Sequence, residues 1–370
     1  MKKILFFIHN LGPGGAEKVL VNLANALDPD KFEVTVLSLF DEGVNRQFLA
    51  SHIRYQYCFK KMFRGNSHVV KLLSPRMLHR WYIKEKYDIE VAFLEGPSSR
   101  IISGCPHLDT KLVSWIHCYP NRTDNVTLGF RSYQEAEQAY GRFHQVVCVS
   151  DTAVAGFQQV FPKLPAPTVL YNVNDSDHIH NLAQEPVDLP ATDGLRLVTV
   201  GRLIPVKALD RFLRIHARLR REGYPVYSYL LGEGELRQTL ENQAKELGVG
   251  DSVGFLGYRT NPYKYVAKCD LFVCSSLSEG FSTAATEALI VGTPVCTVEV
   301  SGMKEMLGEN NEYGIVTENS EEALYQGIKR LLDDPALMAH YKKQAALRGK
   351  AFEKNQTVKA AEEMLLALEG

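Results

Sequence analysis

Glu279 and Glu287 lie eight positions apart in "SEGFSTAATEALIVGTPV", residues 278–295. The first follows a strand-like run, DLFVCSS, and the second falls within a helix-like stretch. Eight residues of helix rise at most about 12 Å, comparable to the span of a diphosphate joining a ribose to a sugar. One carboxylate can then accept from ribose hydroxyls and the other from sugar hydroxyls. Between them, the backbone N–H groups of Gly280, Phe281, Ser282 and Thr283 open the helix. They are orphan donors suited to a phosphate. The plain alternative is a capping Glu followed by a surface helical Glu.

Two further loops have the composition of anion sites. In "LVTVGRLIPVKALDRFLRIHARL" Arg202 follows an apolar run and Lys207 opens the next helix-like stretch. A guanidinium fork and an ammonium there can clamp a diphosphate and neutralise it as it leaves; the alternative is two solvated cations. In "HNLGPGGAEKVLVNLANAL" Gly14 and Gly15 stand just before a helix, where backbone N–H groups and the helix dipole favour an anion. A tight strand-to-helix turn would also need these glycines. A dinucleotide fingerprint fits poorly: Gly12-Pro13-Gly14 begins one, with Asp41 or Glu42 as ribose partner, but Glu17 fills the third glycine position.

The elements that must position these residues alternate along the whole chain. Strand-like runs KILFFIH, FEVTVLSL, DIEVAFLE, KLVSWIH, QVVCVS and PTVLYNV make a first half; LRLVTVG, VYSYLLG, SVGFLG, LFVCSS and TPVCTVEV make a second. Runs this apolar are buried on both faces, which means parallel sheets covered by helices. The expected class is α/β, with two Rossmann-like domains facing across a cleft and ligands at the carboxyl ends of the strands. Residues 174–194, rich in Asp, Asn and Pro, read as the linker. Domains are expected over 1–173, joined by about 350–370, and over 174–349. A last helix-like stretch, about 344–368, has no strand after it.

Composition narrows the function. The chain has 370 residues and a net charge of -1, so it has no whole-chain attraction to nucleic acid. No apolar run approaches the roughly 20 residues that span a bilayer. The opening MKKILFFIHN reads as a first buried strand rather than a signal peptide, because a glycine loop and helix follow at once. Seven cysteines without C-x-x-C spacing read as reduced thiols of a cytoplasmic protein.

Taken in order, "LGPGGAEKVLVNLA", "VGRLIPVKALD", "LLGEGELRQTL", "VGFLGY", "NPYKYVAKCDLFVCSSLSEGFSTAATEAL" and "GTPVCT" resemble the retaining glycosyltransferases of family four, which have the GT-B fold. The resemblance covers nearly the whole chain, and its E-x7-E signature is intact as Glu279 and Glu287. It implies that Glu287 binds the ribose. Glu279, Gly280 and the amides of Phe281, Ser282 and Thr283 would hold sugar and diphosphate. Arg202 and Lys207 would bind phosphate, and Gly14 and Gly15 would contact phosphate at the cleft. His117 in "SWIHCYP" is the candidate histidine beside the donor sugar; the loops at Gly232 and Tyr258 would contact the nucleobase. The first domain would take the acceptor, the second the donor, and the last helix would cross back. No metal and no cofactor is expected; the substrate would be a nucleotide-sugar, a UDP-sugar. The wording of "GGAEKV" and "NPYKYVAKC" is most similar to bacterial enzymes that extend lipid-linked or capsular glycans.

From Arg46 to Lys86 the chain carries ten Lys and Arg against one acid, Glu85, interleaved with Phe48, Tyr55, Tyr57, Phe59, Phe63, Trp81 and Tyr82. Such a stretch suits an anionic membrane surface, which fits a polyprenyl-linked acceptor and a peripheral place at the inner face of the cell membrane. A solvated helix face is the alternative; nucleic acid is not expected as a partner. Two rival functions remain. A UDP-sugar epimerase shares the architecture and would need no acceptor. A non-catalytic partner subunit would be expected to have lost Glu279 or Arg202, and both are present.

Overall fold

The computed structural model describes residues 1–62, 70–120, 126–190 and 192–368. Phe63 and Arg64 of the basic stretch lie outside the described residues. The chain divides into two compact units: 1–173 with 354–370, and 174–353.

Unit 1 is built on β1 (Lys2–Ile8), β2 (Phe32–Phe40), β3 (Arg54–Phe59), β4 (Ile89–Phe93), β5 (Lys111–Ile116), β6 (Gln145–Cys148) and β7 (Thr168–Val169), in the order β3-β2-β1-β4-β5-β6-β7. Unit 2 is built on β8 (Leu195–Val200), β9 (Val226–Leu231), β10 (Val253–Gly257), β11 (Leu271–Cys274), β12 (Val295–Val298) and β13 (Ile315–Thr317), in the order β10-β9-β8-β11-β12-β13. Every pairing in both sheets is parallel. The two units share the order 3-2-1-4-5-6 strand for strand. The order reverses between β1 and β4, and between β8 and β11, and in such sheets that is where ligands bind.

Central strands are sealed on both faces. Ile4, Phe6, Ile8, Leu271 and Val273 are buried, and the unit 1 core also takes in Phe157 and Phe161 from its covering helices. Two strands escaped the sequence reading. β3 is an edge strand with no fully buried residue, and β13 has only three residues. Neither therefore carries the continuous apolar run that marks a doubly covered strand.

The helices used below are α1 (Gly15–Ala26), α2 (Pro75–Tyr82), α3 (Ser176–Ala183), α4 (Leu209–Arg221), α5 (Thr283–Ile290), α6 (Pro335–Gly349) and α7 (Lys354–Ala367). Two corrections concern them. The expected linker contains α3, which buries Ile179 and Ala183 inside unit 2; Asn261 ties the helix down through the Leu182 carbonyl at 3.0 Å. Three apolar side chains suffice for so short a helix, which is why no long run announced it. The single last helix is two helices. α6 ends at Gly349, where a Cβ would come within 2.4 Å of the Leu289 carbonyl oxygen of α5, so only glycine allows this approach. A 3-10 turn, Lys350–Phe352, follows, and α7 then joins unit 1. There Glu362 accepts from the Asp28 amide and from Lys31 Nζ, both at 2.8 Å. No helix among the described residues is long and apolar enough to cross a membrane.

Candidate active site

In unit 2 the loops after β8 and β11 meet at the switch point. Lys207 Nζ donates to Glu279 Oε1 at 2.6 Å, and the Ser276 hydroxyl donates to the same oxygen at 2.5 Å. The loops are stitched by backbone as well: the Leu277 amide donates to the Val206 carbonyl at 2.8 Å, and the Ser275 hydroxyl to the Lys207 carbonyl at 2.9 Å. Gly201, Lys207, Cys274, Ser276, Glu279 and Ser282 line one small crevice between them. Lys207 closes a 3-10 turn, Pro205–Lys207, and α4 starts two residues later, so it precedes that helix rather than opening it. Arg202 is exposed, and among the described residues its guanidinium meets no carboxylate. The two cations expected to act together thus start from different surroundings.

A second clamp fixes the Arg202 loop. The Gly201 amide donates to Leu231 and the Leu203 amide to Glu233, both at 2.9 Å. Gly232, at φ 142°, lies so close beneath that a Cβ would stand 1.9 Å from the Gly201 carbonyl oxygen. Only glycine permits both this φ and this contact. Gly43 does the same for the loop after β1 in unit 1: its φ is 124° and its Cβ would lie 1.9 Å from the Leu11 carbonyl oxygen. The two units thus repeat one device at one topological position. Tyr258, on the next loop, is exposed.

Ser282 caps α5, its hydroxyl accepting from the Ala285 amide at 3.3 Å. The first amides of the helix, at Thr283 and Ala284, are left without an intrahelical acceptor. Phe281 is buried against Phe352, and Gly302, at φ 77°, allows the Phe281 ring and the Gly280 carbonyl to pack over it. Glu287 sits one helical turn into α5 and is buried; the Tyr263 hydroxyl donates to it at 3.3 Å. The plain reading of Glu287 as a surface carboxylate is therefore excluded. Burial of a carboxylate is costly unless its oxygens have donors, and Tyr263 supplies one.

In unit 1, His117 follows β5. Its backbone N–H donates to Glu95 Oε2 at 3.0 Å, its ring packs on Phe93 at 4.6 Å, and its Nε2 is shut off from solvent without a partner among the described residues. Burial pushes this imidazole down to about 3, so it is neutral near pH 7. Gly14 caps α1 and Gly15 is its first residue. The carboxylate of Glu17, one turn on, folds back over that helix start: a Cβ on Gly14 would stand 2.1 Å from Glu17 Oε2. An external anion at this N-terminus must therefore displace a carboxylate of the chain itself. Asp41, weighed as a ribose partner, is bound by Arg46 and by the Tyr55 hydroxyl.

Sequence reasoning missed Ser276, Tyr263, Arg211, Asn319 and Gly302, all of which support the unit 2 site. Only Ser276, three residues before Glu279, carried a usable signal. It also missed a buried grouping in the unit 1 core, where His79 Nε2 and Glu90 Oε2 share a hydrogen bond of 2.7 Å beside Cys105. All seven cysteines are free, five of them buried.

The basic stretch does not form one surface. Phe59 and Tyr82 meet edge-to-face at 5.9 Å, with Tyr82 buried, and Tyr55 is half-buried. Arg46, Arg54 and Lys86 stand in ion pairs with Asp41, Glu85 and Asp109. Arg76, Met77, Arg80 and Trp81 remain exposed, at the three-to-four-residue spacing of a single helix face along α2, and Lys84, also exposed, lies just past its end.

Two anion-suited loops at the switch point of one parallel unit, with a second parallel unit of the same strand order, fit the comparisons with known proteins. Residues 13–178 match the Glycosyltransferase Family 4 profile, and residues 184–348 match Glycosyl transferases group 1. One relative, the N-acetylgalactosamine-N,N'-diacetylbacillosaminyl-diphospho-undecaprenol 4-alpha-N-acetylgalactosaminyltransferase of Campylobacter jejuni, is 30% identical over 99% of this chain and 100% of its own. The chain belongs to the family 4 glycosyltransferases. A second Campylobacter jejuni relative, an alpha-1,4-N-acetyl-D-galactosaminyltransferase named for a diphospho-undecaprenol-linked glycan, is 26% identical over 95% of both chains. Among solved structures, Anabaena HepE in complex with UDP-glucose aligns with a TM-score of 0.79 at 22% identity, over 99% of this chain and 100% of that one. Sucrose-phosphate synthase from Thermosynechococcus elongatus aligns at 0.82 and 17%, over 100% and 99%. These likenesses give the GT-B fold, and the chain is a glycosyltransferase.

Proposed function

We propose that this glycosyltransferase moves a hexose or N-acetylhexosamine from a UDP-sugar to a glycan carried on a polyprenyl diphosphate, with retention of the anomeric configuration and without a metal ion. The observation that carries the reading is the Lys207–Glu279–Ser276 cluster beside the start of α5 at the switch point of unit 2. The relatives named above support the lipid-linked acceptor, and the UDP in the HepE structures supports the donor.

In this reading unit 2 takes the donor. Lys207 exchanges Glu279 for a phosphate oxygen, Arg202 folds onto the diphosphate, and the amides from Phe281 to Thr283 complete the cradle. Glu287, braced by Tyr263, accepts from the ribose; Glu279 accepts from the sugar hydroxyls; the loops at Gly232 and Tyr258 take the base. Unit 1 takes the acceptor; the groups it offers are neutral His117 after β5 and the helix start at Gly14 and Gly15, which can contact phosphate once Glu17 swings away. The bond from the anomeric carbon to the diphosphate breaks as the acceptor oxygen approaches on the same face. The acceptor proton passes to the departing diphosphate oxygen. Two side-chain cations and a helix N-terminus supply the positive charge a metal would otherwise bring. The exposed face of α2 lies against the anionic inner leaflet of the cell membrane, where a polyprenyl-linked acceptor resides.

The test is a panel of nucleotide-sugars assayed by thermal shift and by transfer, with and without chelator. Protection by UDP and a UDP-sugar, with transfer unaffected by EDTA, is expected. Protection by another nucleotide alone, or loss of transfer on chelation, would count against it.

A further inference from the structure

Arg211, on the first turn of α4, is a buried cation that the chemistry above does not use; only 7% of its surface is exposed. It forms no ion pair among the described residues. Its Nε instead donates to the Ser275 carbonyl at 2.7 Å, and its Nη2 to the Ser276 carbonyl at 3.1 Å and to Asn319 Oδ1 at 2.9 Å. Burying a guanidinium without a carboxylate is expensive, and here its fork spans three neutral oxygens that a lysine cannot reach together. Asn319, just past β13, turns its amide toward the carbonyls of Ser276, Leu277 and Glu299 at 3.4–3.5 Å. Apart from the Arg211–Asn319 bond itself and the Glu299 carbonyl, these contacts end on the segment that carries Glu279. Ser276, held by its carbonyl, presents its hydroxyl to Glu279 Oε1. Leu277, next in line, closes onto Val206.

We propose that Arg211, seconded by Asn319, is a positioning residue: it fixes the 275–279 loop from beneath and so sets where Glu279 meets the donor sugar. The proposal rests on the donor-site reading above, but part of its test does not. It concerns the sugar end of the donor and not the nucleotide end, because Glu287 and Tyr263 are not among the contacts of Arg211. Loss of the fork therefore separates turnover from nucleotide affinity. A sugar misplaced by about 1 Å can lose about a hundredfold in rate.

The experiment compares full-length wild type, Arg211→Lys, Asn319→Ala and, as a helix control, Arg214→Ala. Arg214 pairs with Asp210 and Glu321 and touches neither loop. Hydrogen exchange of the 275–281 amides, Leu277 above all, is read first because it needs no substrate. Turnover with a UDP-sugar and the Kd for UDP are read next. Arg211→Lys is expected to speed exchange in 275–281 about tenfold or more, with β11 and α4 unchanged. It should lower kcat about tenfold to a hundredfold while the Kd for UDP stays within about threefold. Asn319→Ala should follow in the same direction more weakly, and Arg214→Ala should match wild type. Wild-type exchange in Arg211→Lys would overturn the proposal. So would parallel losses of turnover, UDP affinity and thermal midpoint, the mark of a merely structural residue. A wild type that neither binds UDP nor transfers sugar would defeat the donor-site reading instead, and the exchange data would still decide the role of Arg211.

Discussion

Lys207 and Arg202 stand on one loop, and among the described residues only Lys207 has a carboxylate to give up. In the proposed reaction, substituting alanine for either removes a donor to the leaving diphosphate, and turnover is expected to fall roughly 10²–10³-fold. Steady-state kinetics decides this, and wild-type turnover in either variant would remove that residue from the site. Lys207→Ala also frees Glu279, so its UDP-sugar KM should move more than that of Arg202→Ala. A second residue-scale expectation concerns pH. His216 is fully buried between the Ser228 and Ser252 hydroxyls at 2.8 and 2.9 Å, and burial lowers it to about 4. Its ordinary value is 6.5, so between about 6.5 and 4 the unfolded chain binds a proton that the folded chain refuses. Stability is then full above pH 6.5 and falls as pH drops through that window, by about 1.4 kcal/mol per unit from this group. Urea midpoints at pH 7 and pH 5 should separate more in wild type than in His216→Asn; equal separations would contradict the assignment. These residues differ in how legible they were. Glu279, Lys207 and Glu287 could be read because the chemistry needs those types at strand ends and helix starts. Arg211, Tyr263 and Asn319 reach the site from helices and turns far away in sequence, where nothing local distinguishes them from surface residues.

The element that matters most is the loop after β8, held by Gly232. Gly232→Ala adds both positive-φ strain and a collision with the Gly201 carbonyl. It is expected to destabilise unit 2 by more than about 1–3 kcal/mol and to weaken UDP binding. Gly223→Ala, at φ 91° with open space around it, brings the strain alone and should cost less. Thermal midpoints of the two variants test this, and equal shifts would mean the close approach is not felt. At the same scale, α2 offers Met77 and Trp81 beside Arg76 and Arg80, with Lys84 just past its end. Trp81→Ala with Arg80→Glu is expected to reduce co-sedimentation with anionic vesicles, and raised salt should reduce it in wild type. Equal binding to neutral vesicles would count against this face. The strands buried on both sides were legible from their apolar runs. β3 and β13 were not, because an edge strand is sealed on fewer sides, and α3 was hidden by the polar residues around three apolar ones.

For the whole molecule, the shared strand order of the two units and the transfer of α7 into unit 1 give the GT-B fold its outline. The alternation of apolar runs made that outline legible, and the loop compositions marked the strand ends where Lys207, Ser276 and Glu279 meet. The stereochemical course was not legible, because a carboxylate at Glu279 suits a nucleophile as well as a hydroxyl acceptor. The surroundings of Glu279 favour the acceptor role, since the Ser276 hydroxyl still holds one of its oxygens when Lys207 turns to phosphate. The most direct measurement is the proton NMR anomeric coupling of the product formed from an α-configured UDP-N-acetylhexosamine and a synthetic polyprenyl-diphosphate glycan. Mass spectrometry of the enzyme, trapped with a slow donor, accompanies it. An α product with no adduct on Glu279 is expected. A β product would contradict retention, and a glycosyl adduct on Glu279 would replace same-face departure with double displacement.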